Sequence, residues 1–284
     1  MGGQGSDGGG VMPDACQSPL VVLSLGWGVQ SWALAAMSAL GELPKLDYAV
    51  HADTTHEAAG TYAHAAKWTP WLEEHGVRVV TVKADRPDVV REDWSDSVLI
   101  PAFSTDLQTG SHGMVRRQCT HDWKIMPIRR FLRSVIRPTV GAVESWAGIS
   151  LDEWERMRSS DVAYIVNVYP LVNKRITRLG CISWLEAHAL DVPPKSACTF
   201  CPYHSPTQWR ALKREGGVDW QRALEVDRAI RDKRRGRVKD KSIQLFVHPA
   251  RKPLAEAVDI PEDVGASQAG FWEQRPCDGG NCFV

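Results

Sequence analysis

Between residues 20 and 82 short apolar runs alternate with longer segments of helical periodicity, and that alternation restricts the chain to an α/β fold with a parallel sheet. Leu20-Val21-Val22-Leu23-Ser24 reads as a buried strand, 29–41 as a helix, Tyr48-Ala49-Val50-His51 as a second strand, 57–75 as a helix, and Val77-Arg78-Val79-Val80-Thr81-Val82 as a third strand. Helical crossovers return each strand in the same direction, so the opening is βαβαβ. Residues 84–115 are less regular and contain a mobile loop, Thr109-Gly110-Ser111-His112-Gly113. A helix at 121–136 carrying Arg129, Arg130 and Arg133 precedes a strand near Val143-Glu144-Ser145-Trp146-Ala147-Gly148 that is expected to rejoin the sheet. After Ser150 helices dominate, at 151–158, 181–189, 205–214 and 218–234, and a basic run occupies 228–241.

The first strand runs into Ser24-Leu25-Gly26-Trp27-Gly28-Val29-Gln30-Ser31 and then into an apolar helix. Backbone amides at a glycine-rich strand-to-helix turn, reinforced by a helix N-terminus, suit a phosphate or pyrophosphate. The turn lacks the lysine of G-x-x-x-x-G-K-[ST], and Ser31 stands where G-x-G-x-x-G has its third glycine, so neither a kinase-type P-loop nor a standard dinucleotide fingerprint is present. An ordinary tight βα turn is the alternative. The second strand ends in His51-Ala52-Asp53-Thr54-Thr55-His56-Glu57, which places Asp53 at the C-terminal edge of the sheet, where open α/β folds bind ligands. Asp53 is a candidate for a ribose hydroxyl or Mg²⁺, or for a helix cap with Glu57 supporting the first turn.

Cys198-Thr199-Phe200-Cys201 has C-x-x-C spacing, which lets two thiolates reach one metal, and Pro202 favours a rigid knuckle. With Cys119 and Cys181 the count is four, enough for Zn²⁺ or a [4Fe–4S] cluster; a redox pair is the other reading of the C-x-x-C, without the thioredoxin-like placement after a first strand. His204 is a reserve ligand. The C-terminal Cys277-Asp278-Gly279-Gly280-Asn281-Cys282 carries two more thiols, on either a mobile tail reaching a nucleotide or cluster or a docked structural one.

At 284 residues the chain exceeds one compact domain. The expected division is a disordered leader at 1–18 in which Cys16 is incidental, a nucleotide-binding α/β domain at 19–150, a mostly helical cysteine-containing region at 151–245, and a tail at 246–284. Thirty-four basic side chains balance thirty-four acidic ones, so no global field announces a nucleic-acid partner. Without a membrane-length apolar run or a signal peptide, a cytoplasmic protein is expected, in which seven cysteines are for ligation, sulfur chemistry or burial rather than disulfides.

These residues resemble the PP-loop superfamily, specifically the adenine nucleotide alpha hydrolases of the phosphoadenosine phosphosulfate (PAPS) reductase family. The resemblance covers most of residues 20–235. It is carried by Gly28-Val29-Gln30-Ser31, Ala52-Asp53-Thr54 with Glu57 and Thr61, Cys119-Thr120 with Lys124-Ile125 and Pro127-Ile128, Gly148-Ile149-Ser150 with Asp152-Glu153, and Pro194-Lys195-Ser196-Ala197-Cys198 with Cys201-Pro202. The superfamily's loop reads Ser-Gly-Gly-x-Asp-Ser; here those places hold Gly26, Trp27, Gly28, Val29, Gln30 and Ser31, so three of the five specified residues depart, Gln30 replacing the aspartate. The resemblance implies a HUP-like nucleotide-binding domain in which Ser24, Gly26, Gly28, Val29, Gln30, Ser31, Asp53 and Glu57 surround ATP (or PAPS) and Mg²⁺. It implies Lys124, Arg116, Arg117 and Arg130 near phosphate charge, with Lys124 and Arg116 catalytic. For Cys119, Cys181, Cys198 and Cys201 it favours iron–sulfur over zinc.

The implied chemistry is attack on the ATP α-phosphate by a substrate oxygen, giving an adenylated substrate and pyrophosphate, after which a sulfur or nitrogen nucleophile displaces AMP. The acceptor would be a nucleic acid in thiolation or phosphorothioation, with a sulfur donor such as a cysteine desulfurase. The alternatives are a PAPS or adenylylsulfate reductase with Cys277 or Cys282 as the attacking thiol, and a non-catalytic zinc-containing nucleotide or nucleic-acid binding module.

Overall fold

A computed structural model describes residues 18–85, 87–90, 97–233 and 242–260. The elements in chain order are β1 (Leu20–Ser24), α1 (Val29–Ala39), β2 (Tyr48–Asp53), α2 (Ala59–Glu74), β3 (Val79–Lys83), β4 (Ala102–Asp106), β5 (His112–Val115), a π-helical turn (His121–Ile125) leading into α3 (Met126–Val135), β6 (Val143–Trp146), a 3₁₀ turn (Leu151–Arg156), β7 (Ile165–Val168), α4 (Pro170–Asn173), α5 (Arg178–Ala187), α6 (Pro206–Glu215), α7 (Gly217–Ile230), β8 (Ile243–Phe246) and α8 (Leu254–Ala257). The leader with Cys16, residues 234–241 of the basic run, and Cys277 and Cys282 lie outside the described residues.

Five strands form a parallel sheet in the order β3-β2-β1-β6-β7. The parallel α/β class expected from the alternation is therefore observed. The chain winds from β1 outward to β3 and then crosses back to the other side of β1, so the strand order reverses between β1 and β6, where doubly wound sheets open a crevice at their C-terminal edge. One face of the sheet is covered by α1, α2 and α5, whose Trp32, Leu34, Leu72, Cys181 and Leu185 pack with Leu23, Ala49 and Trp146. The other face receives Ile128 and Leu132 of α3 against Val22, Val50 and Val143. Helix α1 is buried on all sides from Val29 to Ser38. Its alanines at 33, 35 and 36 let sheet and helices approach closely, and each fully buried large side chain such as Leu34 contributes about 1.5–3 kcal/mol.

The stretch 84–115, expected to be irregular, instead holds β4 and β5, a hairpin whose β4 also pairs with β8 in a separate antiparallel sheet of order β5-β4-β8. The 109–113 segment is its turn together with the start of β5. That sheet and α6, α7 and α8 share a second core around Trp123, Phe200, Trp209 and Leu245. Helices are the predominant regular elements after Ser150, as expected, but that stretch also supplies β7 to the parallel sheet and β8 to the antiparallel one. No helix among the described residues is long and apolar enough to cross a membrane.

Candidate functional site

The turn after β1 is built as a tight approach. Gly28 caps α1 in extended conformation without a side-chain cap bond, and the first helical bond is Trp32 N–H to Gly28 C=O at 2.9 Å. The amides of the first turn therefore have no partner within the helix, as helix N-termini require. Trp27, in a place where the superfamily loop has glycine, adopts a left-handed φ of 57°. A bulky residue there is strained. It is held by an aromatic cluster, with Trp32, His64 and His51 at ring separations of 6.0, 5.9 and 6.5 Å. Gly148, following β6, lies so close that a Cβ on it would stand 2.8 Å from the Ser31 nitrogen.

Gln30 is fully buried and its carboxamide is engaged at both ends. Arg178 Nη1 donates to its oxygen at 2.8 Å, while its nitrogen donates to Glu153 Oε2 at 3.2 Å and approaches Ser150 Oγ at 3.4 Å. Glu153 also accepts from Arg156 at 2.9 Å, and burial raises its carboxyl above the usual range.

On the side of β2, Glu57 precedes α2 and is buried. Lys124, from the π-helical turn, donates to its Oε1 at 3.1 Å, and the Thr54 hydroxyl lies 3.4 Å from the same oxygen. Ser196 Oγ lies 2.5 Å from the Gly26 carbonyl and 3.4 Å from Glu57 Oε2. A hydroxyl has one proton to give, and the shorter approach takes it. Asp53 is held by Lys83 at 2.9 Å, Tyr62 Oη at 2.8 Å and the Thr55 amide at 2.7 Å. Burial opposes its ionisation, but these donors together hold it below the ordinary carboxylate range. It closes a loop on Thr55 rather than capping α2, whose cap is Ala58.

The cysteine segment docks here by backbone pairing. Cys198 and Glu57 form an antiparallel bridge, flanked by Ala58 N–H to Ala197 C=O at 3.2 Å and Thr199 N–H to His56 C=O at 3.0 Å. The knuckle closes with Cys201 N–H to Cys198 C=O at 3.0 Å, and His204 Nε2 donates to the same carbonyl at 2.9 Å. Cys119, Cys198 and Cys201 line one small cavity of about 40 Å³ with Thr54, Lys124 and Ser196. Burial, with the Glu57 carboxylate adding to it, pushes the Cys198 thiol well above the ordinary range; Thr54 Oγ1 is 3.5 Å from its sulfur.

The structure thus brings together Gly26, Gly28, Glu57, Lys124, Cys119, Cys198 and Cys201. It does not bring in Cys181, which is buried on α5 in the core on the α1 side of the sheet, its thiol pushed up to about 12 chiefly by burial. A four-iron cluster needs four thiolates. With three thiols around so small a cavity, and no group of three or more His, Cys, Asp or Glu side chains positioned to hold a metal ion among the described residues, those residues do not fit one. Arg116 is exposed, Arg117 lies over the Tyr203 ring at 5.5 Å, and Arg130 pairs with Asp85 at the surface. A second cavity, of about 290 Å³, opens at the switch point beside Ser24, lined by Ser145, Asn167, Ile128, Arg129 and Ile165. Sequence reasoning quoted Thr54, Ser150, Glu153 and Ser196 without roles and passed over Arg178; the proximity of Gly148 to the turn is what places Ser150 and Glu153.

No protein family model matches the chain, and no curated protein matches it. Among solved structures it is similar to phosphoadenylyl-sulfate (PAPS) reductase from Candida auris, determined as a phosphate complex, with 12% identity, a TM-score of 0.41, and coverage of 62% of this chain and 75% of that one. A likeness of that degree leaves the site to be read from its own residues.

Proposed function

We propose that the chain is an adenine-nucleotide-utilising enzyme that activates an acceptor with ATP for sulfur transfer. The observation that supports this most is a juxtaposition. The glycine turn at the switch point has the 290 Å³ cavity on one side and, through Ser196, Glu57 and Lys124, three cysteines on the other. The cavity has the makings of a nucleoside site: apolar walls from Ile128 and Ile165 and polar groups from Ser24, Ser145 and Asn167, with Arg129 at its edge neutralised by its ion pair to Asp161, which also lines it. Phosphates would meet the first-turn amides of α1. A substrate oxygen attacking the α-phosphate releases pyrophosphate and leaves an adenylated acceptor; a sulfur nucleophile then displaces AMP. In this reading Lys124 orders the Glu57 carboxylate beneath the cysteine segment instead of meeting phosphate directly, and Asp53 keeps the end of β2 in place. An acceptor nucleic acid and a separate sulfur donor belong to the same proposal, as does Mg²⁺ carried in with ATP.

The three thiols beside the turn also favour a second reading, reduction of a sulfonucleotide, in which a thiolate attacks the sulfonyl sulfur and expels the adenosine phosphate, leaving a thiosulfonate, and a second thiol then forms a disulfide with the first and releases sulfite. Pyrophosphate release from ATP–Mg²⁺ and thiol-dependent sulfite release from PAPS or adenylylsulfate, measured on one anaerobic preparation, separate the two. Pyrophosphate without sulfite supports the first reading and sulfite without pyrophosphate the second. Neither product, with no adenine nucleotide bound, refutes both. Iron, sulfide and zinc analysis of the same sample establishes whether Cys119, Cys198 and Cys201 hold a metal.

A further inference from the structure

The carboxamide of Gln30 cannot be turned around. Arginine offers only donors and an ionised carboxylate only acceptors, so the oxygen must face Arg178 and the nitrogen must face Glu153. Both contacts are made at hydrogen-bond distance in a fully buried position, at 2.8 and 3.2 Å. The segment carrying Glu153 is pressed against the turn, with Gly148 leaving no room for a Cβ beside the Ser31 nitrogen. The same segment is tied to the start of α5 by the Arg178 amide donating to Asp152 at 2.9 Å. An acid at position 30 could accept from Arg178, but it would set a second carboxylate 3.2 Å from part-buried Glu153, whose carboxyl is already raised by burial, and like charges that close oppose each other's ionisation.

We propose that Gln30 and Glu153 are one positioning pair: the carboxylate serving the nucleotide turn is delivered across the fold by the 148–153 segment, and Arg178 fixes the polarity of the amide that receives it. The inference rests on the nucleotide reading above. The pair sets where the first-turn amides of α1 stand, so a change that breaks its polarity moves the phosphate site without touching it. The exchange is also reversible in principle, because glutamine and glutamate are isosteric. Carboxylate and amide can trade places, with a glutamate at 30 accepting from Arg178 and from a glutamine at 153.

The test uses the full chain and three variants, Gln30→Glu, Glu153→Gln and the double swap, read by ATP–Mg²⁺ affinity in calorimetry and by thermal melting. Gln30→Glu is expected to weaken ATP binding about tenfold or more and to lower the melting temperature, since coupled neighbours in one network interact by amounts of that order. The double swap is expected to return affinity to within about threefold of the native chain, a non-additivity that independent positions do not produce. Additive losses in the double variant would overturn the pairing. Recovery of melting without recovery of affinity would overturn the positioning role and leave only a structural contact. If the native chain binds no adenine nucleotide, the functional reading fails on its own. The melting cycle then decides the pair, coupling retaining it and additivity overturning it.

Discussion

Replacing Lys124 by methionine removes the ammonium from a carboxylate that has almost nothing else to rely on. The side chains of Glu57 and Lys124 are 1% and 11% exposed, with 3.1 Å between nitrogen and oxygen. At an effective dielectric of about 20, opposite charges at that separation attract by roughly 5 kcal/mol. Removing one partner of a buried pair costs about 3–5 kcal/mol because the remaining charge keeps its desolvation penalty. The other donors do little to reduce that figure: Thr54 stands at 3.4 Å, and the Ser196 proton is committed to Gly26. Lys124→Met is therefore expected to cost about 3–5 kcal/mol in urea unfolding, a large share of the roughly 5–15 kcal/mol that holds a typical domain folded. The double variant Glu57→Gln/Lys124→Met, which removes both charges, should recover most of the loss, and it keeps the measurement possible if the single variant does not fold. A loss below about 1 kcal/mol, the range of exposed ion pairs, would refute the account of Glu57 as a carboxylate sustained by Lys124.

Gly148→Ala should destabilise by about 1–3 kcal/mol through crowding of the Ser31 nitrogen, seen as a lowered melting temperature. Ser196→Ala should cost about 1–3 kcal/mol by leaving the buried Gly26 carbonyl without its hydroxyl donor, measured by the same unfolding assay. His64 is held neutral by burial, its pKa pushed down from 6.5 to about 4. The unfolded imidazole takes up a proton first as pH falls, so His64 contributes stability above pH 6.5 that is lost towards pH 4; a stability–pH curve of His64→Phe should fall less steeply across that window. If the purified protein contains metal, Cys198→Ser or Cys201→Ser should remove it while Cys181→Ser leaves it in place; loss of metal from the Cys181 variant would overturn its assignment to the core.

The parallel sheet was legible because each of its first three strands is a short segment dominated by valine, alanine or leucine between longer helical segments, and the elements from Leu20 to Lys83 match the expected ones to within a few residues. What escaped were the strands at the margins. Ala102–Asp106 and His112–Val115 are short and carry serine, threonine, histidine and glycine; they pair with each other, and Ala102–Asp106 also pairs with Ile243–Phe246, more than a hundred residues on. Local pattern does not report such pairing. Ile165–Val168 was hidden for the same reason: an edge strand with Val166 half exposed has no continuous apolar signature.

Cysteine spacing shows how far a site can be read before the fold is known. Cys198 and Cys201 are fixed relative to each other by a turn, and Cys119 reaches them because the residues after it enter the π-helical turn that carries Lys124. Cys181 completed the count of four in the sequence, yet α5 turns it towards α1, among Leu185 and Trp146, where a small apolar side chain would serve as well. Gln30 misled in the opposite sense. Taken alone it looked like the loss of a carboxylate from the nucleotide turn, whereas Glu153 stands against its amide, 123 residues away in the chain. The substitution and its compensation are separate letters in the sequence; only the approach of Gly148 to Ser31 brings them together, and that contact makes the charge-exchanged double variant the sharpest probe of whether the turn still works as a nucleotide site.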